Sequence, residues 1–269
     1  MKRLIYALIA ALLVISFCSS AIPAGYPEEP LQPDWNRLLG PDSILITASE
    51  VPVVPETPDP VAVEFFPEAK LVALSFDDGP HSIYTAELLA ILKREEVKAS
   101  FFVLGGRVTA NAELLRDMAE AGHQIGNHSY SHRRLTSLSA EDRAFEIHGT
   151  AELLESITGA KPDALRPPYG EYNEMLKNEA GCPLILWSVD PRDWQSRNAE
   201  AVYQAVIRSV GDGDIVLMHD IYPTTVQAVE RIIPELKAQG YRLVTVEELI
   251  QARGAGNESG VYWRLSPKS

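Results

Sequence analysis

Asp77 and Asp78 stand side by side at the end of an apolar run, residues 71–76, immediately before Gly79-Pro80. Two adjacent carboxylates repel each other, and neither suits the end of a buried strand unless something positive waits there. The segment His128-Ser-Tyr-Ser-His132 suggests what that is. Two imidazoles four residues apart face one point if the backbone turns helically between them. With one carboxylate they form a two-histidine, one-acid set of the kind that binds catalytic zinc and leaves positions open. The positive partner is then a divalent cation, with one acid of the pair in the ligand set and the other to spare. Alone, the histidine pair would read as surface residues beside Arg133-Arg134; the neighbouring carboxylates change that.

Three further clusters carry chemistry. In Arg166-Pro-Pro-Tyr-Gly170 two prolines stiffen the turn and restrict the residue before them, so a guanidinium there could orient a carboxylate. In isolation it would be an ordinary rigid turn with an exposed arginine. Asp190-Pro-Arg-Asp-Trp194 and Leu217-Met-His219 follow apolar runs. A carboxylate near His219 would raise its pKa and keep it protonated as an acid. Trp194 and Leu217 either wall a small apolar pocket or belong to the core.

The elements that must position these groups alternate regularly from residue 68 onward. Strand-length apolar runs occur at 71–76, 99–103, 124–126, 164–166, 184–189, 215–218 and 242–244. Amphipathic stretches of helical period lie between and after them, at 84–95, 112–121, 140–158, 171–180, 199–210, 224–239 and 246–253. Seven such units imply a parallel sheet with crossover helices, closed as a barrel or open and doubly wound. In either case the carboxyl ends of the strands carry the active site. Nearly every ionisable candidate falls at such an end, on one rim.

Composition excludes some classes. A net charge of −13 argues against nucleic-acid binding and against a polybasic membrane-surface role. At 269 residues and 46% apolar content the chain can bury a full core. Lys2-Arg3, the apolar run 4–17 and the small residues Ser19-Ser20-Ala21 read as an export signal over residues 1–21, cleaved after Ala21 or retained as a membrane anchor. Bulky Phe17 disfavours lipid attachment at Cys18. Residues 22–66 hold nine of the 19 prolines and a single basic residue, Arg37, and read as an acidic, extended linker in which 44–46 could dock on the body. With Cys18 removed, Cys182 has no partner for a disulfide and reads as a buried, inert thiol. Residues 67–253 form the catalytic body and 254–269 a loose tail, in which Val261-Tyr262-Trp263 could tuck back.

Five motifs in order, Ser75-Phe-Asp-Asp-Gly-Pro80, His128-Ser-Tyr-Ser-His132, Arg166-Pro-Pro-Tyr-Gly170, Asp190-Pro-Arg-Asp-Trp194 and Leu217-Met-His219, resemble the polysaccharide deacetylases (carbohydrate esterase family 4, the NodB homology domain). The resemblance covers about residues 68–250 and departs only at Ser75, where threonine is common. It implies an α/β fold, a distorted (β/α)7-type barrel with parallel strands. It also implies that Asp78, His128 and His132 bind a divalent metal, usually zinc, with cobalt or another ion as alternatives. Asp77 would be the general base, oriented by Arg166. His219 would be the general acid, tuned by Asp193. The Tyr169 backbone N–H would stabilise an oxyanion, and Trp194 and Leu217 would receive an acetyl methyl. A longer run from His219 to Val226, with 240–246, looks most like bacterial peptidoglycan N-acetylglucosamine deacetylases. The expectation is therefore an extracytoplasmic hydrolase acting on an N-acetylated polysaccharide, secreted or tethered to the membrane through its N-terminal segment. The alternatives are a chitin or chitooligosaccharide deacetylase, an acetyl xylan esterase, and a carbohydrate-binding protein on a deacetylase body.

Overall fold

The computed structural model describes residues 69–255 and 260–267. The export signal and the linker read from residues 1–21 and 22–66 lie outside the described residues. Among the described residues no helix is long and apolar enough to cross a membrane.

The central strand β1 (Lys70–Asp77) is buried along all but its first residue. One edge pairs in parallel with β5 (Asp214–His219), register Asp77 to His219. The other edge is shared. Its carboxyl half takes β2 (Ser100–Val103), and its amino half takes β6 (Tyr241–Val244). β2 continues to β3 (Gln124–Asn127). From there single bridges carry the ring onward: Asn127 to Leu165, then Leu165 to Leu184 in β4 (Leu184–Ile185), and finally Val189 to Val216 of β5. The sheet thus closes into a distorted parallel barrel, with β6 wedged beneath β2 against β1.

Two of the expected strands shrink, for an identifiable reason. Residues 164–166 contribute one bridging residue, and 184–189 contribute two paired residues and a bridge. The Arg166 guanidinium occupies the Ile185 and Leu186 carbonyls, which a continuous ladder would use. Pro167 and Pro168 offer no N–H to extend it.

Period-two alternation on β1 divides the core. Val72, Leu74 and Phe76 point outward and pack under helices with Leu88, Leu92, Phe101, Val216 and Ile232. Leu71 and Ala73 point into the barrel with Phe102, Ile185 and Ile215. Each large apolar side chain buried this way contributes about 1.5–3 kcal/mol.

Apart from two short helices that the periodicity did not indicate, the helices fall in the expected stretches: α1 (Tyr84–Arg94), then the short α2 (Gly105–Val108), α3 (Ala112–Glu120), α4 (Ala140–Ala144) and α5 (Thr150–Thr158). Then follow α6 (Glu174–Glu179), a short α7 (Asp193–Ser196), α8 (Ala199–Ser209), α9 (Pro223–Ala238) and α10 (Val246–Ala252). α6 starts three residues later than the pattern suggests, because the Asn173 side chain accepts from the Leu176 N–H and caps it there. α4 and α5 are joined by a π-helical segment, Phe145–Gly149, inside the single helix expected over 140–158. The chain then returns: β7 (Val261–Tyr262) pairs with β4, and Leu265 donates its N–H to the Gly213 carbonyl. Cys182 is half-buried. Burial, with Asp163 adding to it, pushes its thiol up to about 12, which makes it inert at neutral pH.

Candidate active site

β1 presents its two carboxylates differently. Asp77 ends the strand with its side chain buried. Asp78 turns out of it with φ 72°, a left-handed conformation unusual for a residue with a Cβ. The turn continues through Gly79, where a Cβ would lie 2.2 Å from Asp220 Oδ2. That closeness accounts for the glycine. Burial lifts the Asp220 carboxyl to about 7, against a hydrogen bond from Thr85 and with help from the charges of Asp78 and Asp77.

Arg166 meets Asp77 from across the barrel, with Nη1 2.7 Å from Oδ1. Far from the exposed turn residue its motif alone would suggest, it is wholly buried, and its guanidinium lies 4.1 Å from the Phe102 ring centroid. Burial holds its pKa below the ordinary value, outweighing the Asp77 charge and hydrogen bond, which act to raise it. One Asp77 oxygen is thereby fixed. The other, Oδ2, points to His128 Nε2 at 3.6 Å.

His128 Nδ1 lies 2.7 Å from the Arg166 carbonyl. A carbonyl only accepts, so Nδ1 carries the proton and Nε2 turns its lone pair inward. Asp78 Oδ1 sits 3.7 Å from His128 Nε2 and 3.6 Å from His132 Nε2. The three ligand atoms all lie within 4.8 Å of one another. Burial, then the neighbouring His128, lowers the His132 pKa, which keeps that ring neutral and its lone pair available.

The histidines do not converge through a helical turn, as their spacing suggested. Ser129 and His132 take φ 71° and 61°, and the loop is tied by side chains instead. The Ser129 N–H donates to Asn127 Oδ1, and the His132 N–H donates to Ser129 Oγ. Glu146, buried within the π-helical segment, accepts the N–H groups of Tyr130 and Ser131 at 2.8 Å each and the Ser131 hydroxyl. This carboxylate cradle was invisible in the sequence, since nothing there distinguishes Glu146 from other helical acids.

On the far side, His219 Nδ1 lies 2.8 Å from Asp193 Oδ1. Asp193 is fully buried and also accepts the His219 N–H and the Thr225 hydroxyl. Burial alone would lower the His219 pKa. The Asp193 hydrogen bond and charge, with Asp77 and Asp78 behind them, overrule it and raise it to about 9. Tyr169, at φ 63°, has no acceptor for its backbone N–H among the described residues. Trp194 is 47% exposed and Leu217 only 4%, so one offers a surface and the other belongs mostly to the barrel interior.

The donor set suits a divalent cation. Asp78 Oδ1 is buried with no hydrogen-bond partner among the described residues, although it faces two imidazole nitrogens that lack protons or lose them easily. A cation at that point would satisfy all three.

A parallel barrel with a two-histidine, one-carboxylate cluster and an acid–base pair on its carboxyl rim defines the class of metal-assisted hydrolases. Residues 67–181 match the polysaccharide deacetylase family model. The chain is 42% identical over 187 residues to the peptidoglycan-N-acetylmuramic acid deacetylase PdaC of Bacillus subtilis, covering 70% of this chain and 40% of that protein. It is 38% identical over 190 residues to a peptidoglycan-N-acetylglucosamine deacetylase of Bacillus cereus, covering 68% of this chain and 89% of that protein. Among solved structures, a family 4 acetyl xylan esterase from Clostridium thermocellum in complex with a cobalt ion superposes with TM-score 0.70 at 37% identity, covering 73% of this chain and 99% of that one. The chain belongs to the polysaccharide deacetylase family.

Proposed function

We propose that the protein is a metal-dependent hydrolase that removes acetyl groups from the N-acetylglucosamine units of a cell-surface polysaccharide, most directly peptidoglycan. The observation that carries this reading is the convergence of Asp78, His128 and His132 beside two preset proton carriers, Asp77 and His219. Asp78, His128 and His132 would hold the cation, and two imidazoles with one carboxylate suit zinc best, with cobalt an effective substitute. When bound, the cation supplies Lewis acidity, polarising an amide oxygen and making a water several pK units more acidic.

The chain's own residues do the rest. Asp77, locked through Oδ1 by Arg166, keeps Oδ2 free to take a proton from the attacking water. The Tyr169 N–H donates to the oxygen on which negative charge develops. The amide C–N bond breaks only if the departing nitrogen is protonated, and His219, kept cationic by Asp193, gives up that proton. Acetate and a free amine result. Trp194 and Leu217 line the space for the acetyl methyl.

The N-terminal charge and apolar run support an extracytoplasmic location, with residues 1–21 as export signal or tether. The test is acetate release from peptidoglycan, chitin oligomers and acetylated xylan, with and without chelator. Chelator-sensitive release with free amine from peptidoglycan is expected. Release confined to xylan, with free hydroxyl as the product, would make the enzyme an esterase. No release from any of the three would leave a binding protein.

A further inference from the structure

Two histidine–tyrosine–arginine stacks flank the cluster. On the cation side, His132 packs edge-on against Tyr169 at 4.7 Å, and Arg134 lies 4.9 Å from the same ring centroid. Arg134 is neutralised by Glu171. On the acid side, His219 lies 5.9 Å from Tyr222, and the Arg197 guanidinium sits 3.3 Å from that ring centroid. Arg197 is exposed and forms no ion pair with any acid among the described residues. Its Nε donates to the Trp194 carbonyl at 2.7 Å, and its two terminal nitrogens form no hydrogen bond among the described residues.

We propose that Arg197, stacked on Tyr222 beside His219, is a subsite for a carboxylate borne by the sugar next to the one that loses its acetyl group. This rests on the deacetylase reading above and names the substrate class more closely: an anionic, carboxylate-bearing amino-sugar polymer rather than a neutral one.

Several features support it. With Nε engaged, the Nη1–Nη2 fork of the guanidinium remains to match a carboxylate in a bidentate geometry. Other cations among the described residues also lack an ion pair, Arg116 and Arg208 among them, but Arg197 is the one whose guanidinium lies against a ring beside His219. Arg107, half-buried on α2, likewise forms no ion pair among the described residues, and its charge reaches the Tyr222 hydroxyl along with that of Arg197. Arg197 also holds a left-handed conformation, φ 46°, where glycine or asparagine would be cheaper by about 1 kcal/mol.

The test compares acetate release from an oligosaccharide alternating N-acetylglucosamine and N-acetylmuramic acid, with its carboxylates free and as methyl esters. For the unaltered protein, KM for the free acid should be about tenfold lower than for the ester, the scale of one charge-assisted contact. Arg197→Ala should bring the ratio close to one, and Arg197→Lys, which keeps charge but not the planar fork, should fall between. Circular dichroism checks that each variant folds. Equal KM values in the unaltered protein, or an unchanged ratio in Arg197→Ala, would overturn the subsite while leaving the deacetylase reading intact. If neither form nor N-acetylchitotetraose yields acetate, the deacetylase reading itself fails and the subsite with it.

Discussion

On one side of the rim, His128 donates its Nδ1 proton to a backbone carbonyl; on the other, His219 faces a buried carboxylate through the same atom. A carbonyl is a dipole. It orients the ring and leaves Nε2 as a neutral donor to a cation. A carboxylate is a full charge, and it holds the ring protonated to about pH 9. His132 sits with the first group, its pKa lowered by burial. On the proposed reading the same side chain becomes ligand or acid according to what lies behind it, and that partner is set by the Arg166 carbonyl and by Asp193 of α7 rather than by the histidine motifs.

The contrast is broken most severely by Asp78→Asn. Losing the ligand charge should release the cation, read by elemental analysis of the purified protein, and abolish turnover; a variant that retains stoichiometric metal would exchange the roles of Asp77 and Asp78. His219→Ala should keep its metal and lose about 10²–10⁴-fold in kcat, the usual worth of general acid help. Retained kcat would remove His219 from the acid role. Glu146→Ala acts behind the ligands, since it leaves the Tyr130 and Ser131 N–H groups, which share Oε2, and the Ser131 hydroxyl without their acceptor. Cation affinity, titrated with Co²⁺, should weaken about 10–100-fold with little change in circular dichroism. Unchanged affinity would mean the loop holds its shape without the cradle.

Asp193→Asn gives the subtlest effect. The folded-state pKa of His219 lies above its ordinary 6.5, so the protonated acid persists to about pH 9 and the alkaline limb of kcat/KM should fall there. The stability this interaction contributes is full below about pH 6.5 and lost as pH rises through about 9. Removing the Asp193 charge should move the alkaline limb to lower pH, and an unmoved limb would show that another group sets it.

Much of this was legible from spacing. The motifs fall at strand ends because apolar runs end there, and parallel topology gathers strand ends on one rim. The strands at 164–166 and 184–189 were overcalled because apolar periodicity registers burial but not which donor occupies a carbonyl; Arg166 takes those carbonyls. The helical turn assumed for His128 to His132 failed for a related reason. Side-chain ties from Asn127, Ser129 and Glu146 hold two left-handed residues that the spacing of the histidines does not encode. Arg197 was passed over because an arginine declares its role only through what it lacks, a partner acid, and that takes coordinates to see.

The π-helical segment Phe145–Gly149 has a genetic corollary. Such a segment is an α-helix carrying one surplus residue. Deleting a single codon there would restore regular winding and draw in the wider turn that presents Glu146 to the histidine loop. The barrel would survive, yet the carboxylate under the histidine loop would face elsewhere. One small deletion, outside both the Asp77-Asp78 and the His128–His132 motifs, would then leave a folded but silent relative.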